Sequence, residues 1–380
     1  MHNDLSLYIH IPWCVRKCPY CDFNSYPVND IIPETAYLNA LMIDLENDLH
    51  LVKGREINSI FIGGGTPSLF SPPIIRTLLT EIRARLPVKS TAEITLEANP
   101  GTADKHRFQG FYEAGVNRLS LGIQSFDDAT LQQIGRIYDR RAAIEAIESG
   151  ITAGFTNINL DLMFGLPGQT VTTAVQDLQT AVSFQPPHLS WYQLTIEPET
   201  PFYQQPPVLP DDDELWAIFV AGQTFLKEHY QHYEVSAYAR TGYQCQHNLN
   251  YWRFGDYLGI GAGAHAKITD FTGGRIERFN KHSHPQTYLN AVSTRAMIAE
   301  YTVLNVEDIC LEFMLNALRL YEGFTLEQFT TCTGLNPALL ATPLKTGIEN
   351  GWLIQEGTRI RANDTGMRFL NELLMLFISS

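Results

Sequence analysis

Three cysteines near the start of the chain have the residue type and the spacing to bind a metal cofactor. Cys14, Cys18 and Cys21 form a Cys-x3-Cys-x2-Cys run just after the apolar stretch 5–11. Closely spaced thiolates of this kind hold iron–sulfur clusters. A 4Fe–4S cluster has four irons and this run supplies three ligands, so one iron keeps an open position, which in metal sites is typical of chemistry rather than of a structural role.

Other roles for these cysteines have less support from the sequence, but they stay open. A disulfide framework is disfavoured because the chain has six cysteines in 380 residues and no basic and apolar leader in residues 1–4. A zinc site usually needs a fourth Cys or His at short spacing. The third alternative is that the cysteines are unreactive thiols with no ligand. The remaining cysteines are scattered and are expected to pack in the core: Cys245, Cys310 and Cys332.

The composition narrows the class of protein. Lys and Arg number 27 against 41 Asp and Glu, a formal net charge of −14. Such an excess of acid argues against general nucleic-acid binding, which needs many cations at the phosphates. No apolar run approaches the roughly 20 residues that span a bilayer. We therefore expect a cytoplasmic protein with no integral membrane segment and no nucleic-acid partner.

Strands alternate with helical segments over the first 240 residues, and this order must position the cysteines. The predicted strands are 7–11, 57–62, 93–98, 118–123, 157–162 and 189–194. Six strand–helix units predict parallel strands. A closed eight-unit barrel needs about 250 residues, so the fold class is α/β, an incomplete (β/α)6 barrel whose functional groups gather at the carboxyl ends of its strands.

Polar residues stand at those carboxyl ends. The second strand runs into Gly63-Gly-Gly-Thr-Pro67, whose backbone N–H groups could approach a ligand closely. Glu97, Gln124 and Asp161 end the next three strands, and Arg136 follows the fourth. Each alone would most often be a satisfied surface residue. Together they would ring one pocket that suits an ammonium, a carboxylate and a ribose, all of which S-adenosylmethionine (SAM) carries.

The chain changes character after residue 270. We expect residues 1–270 to form the partial barrel with the cluster and SAM site, and residues 271–305 to connect it to a third part. Within that connection, Gly273-Gly274 and the polar stretch to Pro285 predict a loop. Residues 306–380 read as a mostly helical domain with a small hairpin, in a winged-helix-like order. A lid or docking role suits its acidic balance better than DNA binding.

Four further motifs in the sequence resemble those of a known protein family. They are Tyr8-Ile-His-Ile-Pro-Trp-Cys14, Gly63-Gly-Gly-Thr-Pro67, Gly122-Ile-Gln-Ser-Phe126 and Asn159-Leu-Asp-Leu-Met-Phe-Gly-Leu-Pro167. With the cysteine run they resemble the radical SAM superfamily, and within it the oxygen-independent coproporphyrinogen III oxidase family. The resemblance covers essentially the whole chain. It implies that SAM is contacted by Tyr8, Gly64, Gly65, Thr66, Glu97, Gln124, Arg136 and Asp161.

Two departures put the oxidase activity in doubt. The oxidases carry an N-terminal extension that helps form the active site, whereas here the first strand begins almost at Met1. They also carry a further Cys two residues after the third ligand, where this chain has Phe23.

His247-Asn-Leu-Asn-Tyr-Trp252 resembles instead the signature of haem chaperones that branch from the same family. This resemblance implies a carrier that binds haem near His247 and Tyr251 and hands it to acceptor proteins, with the cluster and SAM retained. A homodimer is one assembly that the sequence leaves open. A neutral imidazole is a good axial ligand of haem iron. A histidine satisfied in a loop, with its aromatic neighbours in the core, is the plainer alternative. The alternative function is an anaerobic coproporphyrinogen III oxidase, so the sequence leaves open whether the protein is an enzyme.

Overall fold

A large mixed sheet organises the protein. The computed structural model describes residues 5–28, 30–52, 54–102, 104–270 and 272–378. Within them the large sheet has 12 strands, and smaller sheets of three and two strands lie in the C-terminal part and in the cysteine loop.

The strands follow in chain order. They are β1 (Leu5–Ile11), β2 (Trp13–Cys14), β3 (Tyr26–Pro27), β4 (Ile57–Gly64), β5 (Val88–Ala98), β6 (Arg118–Gln124), β7 (Ile158–Phe164), β8 (His188–Gln193), β9 (Gln231–Glu234), β10 (Ala237–Ala239), β11 (Asp256–Ile260), β12 (His265–Asp270), β13 (Arg275–Lys281), β14 (Ile298–Val303), β15 (Phe324–Thr325), β16 (Leu353–Glu356) and β17 (Arg359–Ala362).

The helices cover the outside of the sheet and build the C-terminal part. They are α1 (Glu34–Val52), α2 (Pro72–Arg85), α3 (Lys105–Ala114), α4 (Asp128–Gln133), α5 (Arg140–Thr152), α6 (Val171–Ser183), α7 (Pro201–Gln204), α8 (Asp212–Lys227), α9 (Gln246–Trp252), α10 (Pro285–Ala291), α11 (Val306–Ala317), α12 (Leu326–Thr333), α13 (Ala341–Glu349), α14 (Asp364–Arg368) and α15 (Leu370–Met375). No described helix combines the length and the apolar character that crossing a bilayer requires.

The large sheet has a parallel centre and antiparallel margins. Its order is β14-β13-β12-β11-β1-β4-β5-β6-β7-β8-β10-β9, and the run from β11 to β8 is parallel throughout. The six predicted strands are all present, and β14 and β9 leave the sheet open rather than closed. The predicted incomplete barrel is therefore confirmed, with β11 as a seventh parallel strand beside β1.

Buried apolar strands and capped helices explain why this sequence folds so. Six of the seven residues of β1 are buried, as expected for a parallel strand covered on both faces. The outer helices bury apolar side chains in the core, and α3, α5, α6 and α8 each begin at a capping side chain. Asp211, for example, accepts a hydrogen bond from the backbone N–H of Glu214 and fixes the start of α8.

The C-terminal part has a core of its own around Phe313, Phe324 and Phe329. The predicted hairpin is present as β16 and β17, which pair antiparallel, and β15 adds a third strand. The helix α12 was not predicted from the sequence, since its TTCT end is rich in residues with low helix propensity. It nevertheless forms because Phe329 is fully buried in that core.

Residues 273–285 were expected to be a loop, and this expectation is wrong. Strand β13 pairs with β12 through six residue pairs, and β14 then pairs with β13 and forms the margin of the large sheet. The strand was missed because its sequence contains charged residues, which usually indicate an exposed segment. Here Glu277 and Lys281 of β13 are buried. The division into residues 1–270, 271–305 and 306–380 stays a prediction, and Phe271 at its first boundary lies outside the described residues.

Lys281 is held in the core by two carboxylates of α1. Its ammonium Nζ lies 2.6 Å from Asp44 Oδ1 and 2.6 Å from Asp48 Oδ2, and all three side chains are buried. Replacing it by Met leaves two buried carboxylates without a cation. We therefore expect Lys281→Met to lower the free energy of unfolding by about 3–5 kcal/mol in chemical denaturation.

A matched control tests whether burial is the reason. Lys345 pairs with Glu349 at 3.7 Å on the surface of α13, where both side chains are largely exposed. Lys345→Met should cost less than about 1 kcal/mol. Equal losses for the two variants would contradict the role given to Lys281.

Candidate functional site

The cysteine loop begins at the carboxyl end of β1 and is closed at its base by backbone pairing. Strand β2 pairs with β3 in parallel, Tyr26 N–H donates to Pro12 O at 2.7 Å, and Val28 N–H donates to Cys14 O at 2.9 Å. Inside this closed loop Cys14 is buried while Cys18 and Cys21 are half-buried, and all three are free thiols. The chain therefore presents three sulfurs from one fixed loop.

The surroundings of the sulfurs favour thiolate ligands. Arg136 Nη1 donates to Cys18 Sγ at 3.2 Å, and Ser25 Oγ lies 3.8 Å from Cys21 Sγ. Burial raises the pKa of Cys14 to about 11, and the Ser25 hydroxyl acts in the opposite direction. Cations and hydroxyl donors stabilise a thiolate once a metal displaces its proton.

The donor set of the loop is the three free thiols of Cys14, Cys18 and Cys21. Among the described residues no group of three His, Cys, Asp or Glu side chains is placed to hold a single metal ion. In a 4Fe–4S cluster each cysteine binds a different iron. The donor set, three thiolates with no fourth Cys or His at short spacing, suits such a cluster better than the zinc ion that the sequence left open.

The glycine turn after β4 passes directly under the cysteine loop. Gly65 N–H donates to Ile11 O at 2.8 Å, and Thr66 N–H donates to Trp13 O at 2.7 Å. A Cβ on Gly65 would lie 2.5 Å from Trp13 O, so no larger residue fits there. Gly64 has φ +118° and a Cβ there would lie 2.7 Å from the His10 ring.

Two buried carboxyl groups act on each other electrostatically, Glu97 near the end of β5 and Asp161 in the middle of β7. Glu97 Oε2 accepts a hydrogen bond from Gly64 N–H at 3.0 Å. Asp161 accepts from Ser120 Oγ at 2.9 Å and from Asn159 Nδ2 at 2.7 Å. Burial and the charge of Asp161 raise the pKa of Glu97 to about 8, and burial also raises the pKa of Asp161. A cationic group between them would lower both pKa values, which is what an ammonium or sulfonium ligand provides.

A hydrogen-bonded chain joins the other strand ends to the cysteines. Arg136 Nη2 donates to Asn99 Oδ1 at 2.7 Å, and Asn99 Nδ2 donates to Thr66 Oγ1 at 3.0 Å. Gln124 has φ +67° at the end of β6, and its Oε1 accepts from Tyr192 at 2.7 Å. Sequence reasoning did not assign roles to Asn99 or Tyr192. Their position directly at strand ends is the signal that could have found them.

One cavity of about 440 Å³ collects most of the predicted site. It lies at the carboxyl ends of the parallel strands, as the barrel predicts. Ten of the predicted residues line it: Cys14, Cys18, Cys21, Gly64, Gly65, Thr66, Glu97, Gln124, Arg136 and Asp161.

Tyr8 lies elsewhere, in a second cavity of about 510 Å³ that also contains Tyr251. Its hydroxyl is 3.0 Å from His10 Nδ1 and its pKa is raised by burial. The two cavities share three lining residues, Phe23, Gly64 and Glu97. They are therefore neighbours with a common wall, and Tyr8 faces the second one.

His247 does not have the geometry of a free metal ligand. It is 1% exposed, its Nδ1 lies 3.0 Å from Ser59 Oγ, and its Nε2 lies 2.8 Å from the hydroxyl of Tyr251. Burial lowers its pKa to about 3. Both ring nitrogens are engaged, and in this arrangement His247 positions Tyr251. The assignment of His247 and Tyr251 to a haem site stays a prediction.

Comparison with known protein families agrees with the fold and the site. The sequence profile of the radical SAM superfamily matches residues 8–181, and that of the HemN C-terminal domain matches residues 304–369. Coproporphyrinogen III oxidase (HemN) from Escherichia coli superposes with a TM-score of 0.83 at 22% identity, over 99% of this chain and 90% of that one. At this identity the likeness speaks for the fold alone. The fold and the cysteine site define a radical SAM protein, a class that uses a 4Fe–4S cluster and SAM.

Relatives of much higher identity narrow the class. The heme chaperone HemW of Escherichia coli (strain K12) is 50% identical, over 99% of this chain and 98% of that protein. The HemW proteins of Haemophilus influenzae and Bacillus subtilis (strain 168) are 48% and 33% identical, over 99% and 97% of this chain and 98% and 100% of their own lengths. The chain belongs to the HemW family of radical SAM proteins.

The three loop cysteines are expected to be the cluster ligands. Replacing Cys14, Cys18 and Cys21 together by Ala should abolish the brown iron–sulfur absorption of anaerobically reconstituted protein and its bound iron and sulfide. Cys310→Ala, which changes a half-buried thiol of the C-terminal part, is the control and should keep both. An unchanged spectrum in the triple variant would refute the assignment.

Gly64→Ala is expected to weaken SAM binding by about tenfold or more in the reconstituted protein, because strained backbone of this kind costs about 1–3 kcal/mol. The added Cβ would also lie 2.7 Å from the His10 ring, and the adjustment this requires would disturb the hydrogen bond that Gly64 N–H donates to Glu97. Gly54→Ala is the matched control, since Gly54 has φ +75° but no atom within 4 Å of the added Cβ. Equilibrium binding of SAM measures both variants, and equal affinities would contradict the close approach.

Proposed function

We propose that this protein is a haem chaperone, which binds haem and passes it to haem-requiring acceptor proteins while it carries a 4Fe–4S cluster and SAM. The observation that carries the proposal is the second cavity, which is lined by the aromatic motif and adjoins the cysteine site. The full-length similarity to proteins named heme chaperone supports the same conclusion.

The proposal divides the predicted residues between two cavities. In the first, the three cysteines bind the cluster and the strand-end residues contact SAM: Gly64, Gly65, Thr66, Glu97, Gln124, Arg136 and Asp161. When bound, the cluster and SAM supply radical chemistry, which belongs to the cofactors rather than to the protein. The chain itself orients SAM through Glu97 and Asp161, whose raised pKa values suit a cationic ligand. Tyr8 contributes to the second cavity next to this site.

The second cavity has the character of a haem site. Its lining includes the aromatic side chains of Tyr251, Trp252, Phe254 and Tyr257, which offer flat apolar surfaces to a porphyrin. Tyr251 stands edge-on to Tyr257 at 4.5 Å between ring centroids, so the two rings fix each other. Phe23 at its rim is 61% exposed. A carrier needs such an opening, because haem must enter and leave.

The proposal includes further partners and a compartment. The acceptors are haem-requiring proteins, the assembly is a homodimer and the location is the cytoplasm. The margin strand β14 supports self-association, because all six of its residues are exposed and an open edge strand offers its backbone for pairing. The opposite margin is occupied, since Glu234 of β9 bridges to Leu320 of the C-terminal part.

Haem uptake tests the proposal. The purified, anaerobically reconstituted protein should bind hemin at near-stoichiometric ratio with a shifted Soret band. Under the same conditions, coproporphyrinogen III with SAM and a reductant should give no protoporphyrinogen. Absorbance titration and product chromatography measure the two outcomes.

The two arms separate the chaperone from the oxidase. Absence of hemin uptake would overturn the proposed function. Formation of protoporphyrinogen would instead assign the chain to porphyrin synthesis. The triple Cys→Ala variant is the control for the oxidase assay, because without a cluster it should form no product whether the protein is a chaperone or an oxidase.

A further inference from the structure

Two histidines, His10 and His265, line the second cavity, and a third, His247, contacts its lining residue Tyr251. The three differ in what their ring nitrogens contact. His10 Nδ1 lies 3.0 Å from the hydroxyl of Tyr8, and His10 Nε2 lies 2.7 Å from Asn24 O. The ring nitrogens of His247 are likewise engaged by Ser59 and Tyr251. Neither imidazole has a lone pair left for a metal.

His265 is different. It lines the cavity at the start of β12 and is exposed. Among the described residues its ring forms no hydrogen bond, ion pair or ring contact. An imidazole in a cavity wall with both nitrogens available is a natural axial ligand of haem iron.

We infer that haem binds in the second cavity with His265 as an axial ligand, an assignment that rests on the proposed haem-carrier function. His247 does not line the cavity, and it positions the lining residue Tyr251 through a contact with the Tyr251 hydroxyl. The aromatic motif then shapes the porphyrin surface, and a strand some eighteen residues downstream of it supplies the ligand.

Strand register places cations beside this ligand. Tyr257 of β11 lies opposite Lys267 of β12, which lies opposite Arg278 of β13. His265 is two residues before Lys267 and so belongs to the same face of the sheet. Arg278 is its diagonal neighbour, since His265 pairs with Asn280, and diagonal neighbours lie about 7–8 Å apart.

Arg278 is suited to hold a haem propionate. Its Nε lies 2.6 Å from Glu312 Oε2, its Nη2 forms an ion pair with the same oxygen, and its Nη1 donates to the hydroxyl of Tyr257 at 2.8 Å. These contacts fix the guanidinium and use three of its five N–H groups. The others remain for a carboxylate at the cavity. Lys267, by contrast, is buried in a pair with Asp256 at 2.8 Å and acts as fixed positive charge.

Spectroscopy of hemin bound to the full-length, reconstituted protein tests this ligand. His265→Ala should lower hemin affinity about ten- to hundredfold and remove the imidazole signature from the Soret band and the electron paramagnetic resonance spectrum. His265→Met should replace it by a thioether signature. Arg278→Gln should weaken binding but keep the imidazole signature, as a propionate partner would.

Two further variants exclude indirect effects. His106→Ala changes an exposed imidazole on α3 and should leave both readouts unchanged. His247→Gln should keep the imidazole signature. Retained cluster absorption and far-ultraviolet circular dichroism in His265→Ala show that the variant is folded.

The failures of this inference and of the proposed function are distinguishable. If the unmodified protein takes up no hemin, the proposed function falls and this assignment falls with it. If it takes up hemin and His265→Ala and His265→Met keep its affinity and spectrum, the assignment is overturned while the carrier function stands. Loss of the imidazole signature in His247→Gln alone would return the ligand to His247.

Discussion

The site depends on one close backbone contact, between the end of β1 and the glycine turn after β4. Gly65 and Thr66 donate their N–H groups to Ile11 O and Trp13 O, at the point where the chain enters the cysteine loop. The approach is so close that a single Cβ on Gly65 would collide with Trp13 O at 2.5 Å. This contact sets the height of the cysteines above the parallel strands, and thereby aims the sulfurs into the cavity that Glu97, Asp161 and Arg136 line.

The same loop joins the two cavities. Phe23 follows Cys21 by two residues and lines both, and Asn24 anchors the end of the loop by donating to Ala262 O and Ser283 O at 2.9 Å each. A group bound on one side that moves Phe23, Gly64 or Glu97 changes the shape of the other side. By linkage, any change of haem affinity caused by SAM or the cluster would be matched by an equal change in the reverse direction. In the proposed carrier, this wall would couple haem binding to the state of the cluster.

Much of this could be predicted from sequence, because the signals are local. Apolar runs predict the six parallel strands, and a polar residue at a strand end must reach the site of a parallel barrel. The rest depends on partners distant in sequence. The sequence of strand β13 is polar and does not predict a strand. Lys281 can be buried in it because Asp44 and Asp48, more than 230 residues earlier in the chain, neutralise its charge. The motif around His247 suggests a haem ligand, yet Ser59, 188 positions away, occupies one of its nitrogens. His265 carries no signal in the sequence, since its place in the cavity follows from the register of β11, β12 and β13.

An experimental structure of the reconstituted, haem-loaded protein, with anomalous scattering measured at the iron edge, tests the central claim most directly. The account predicts two separate iron sites. One is a cluster bound by Cys14, Cys18 and Cys21 in the first cavity, and the other is a single haem iron bound by His265 in the second, with Phe23 between them. A map with no iron at the three cysteines, or with haem iron outside the second cavity, would contradict it.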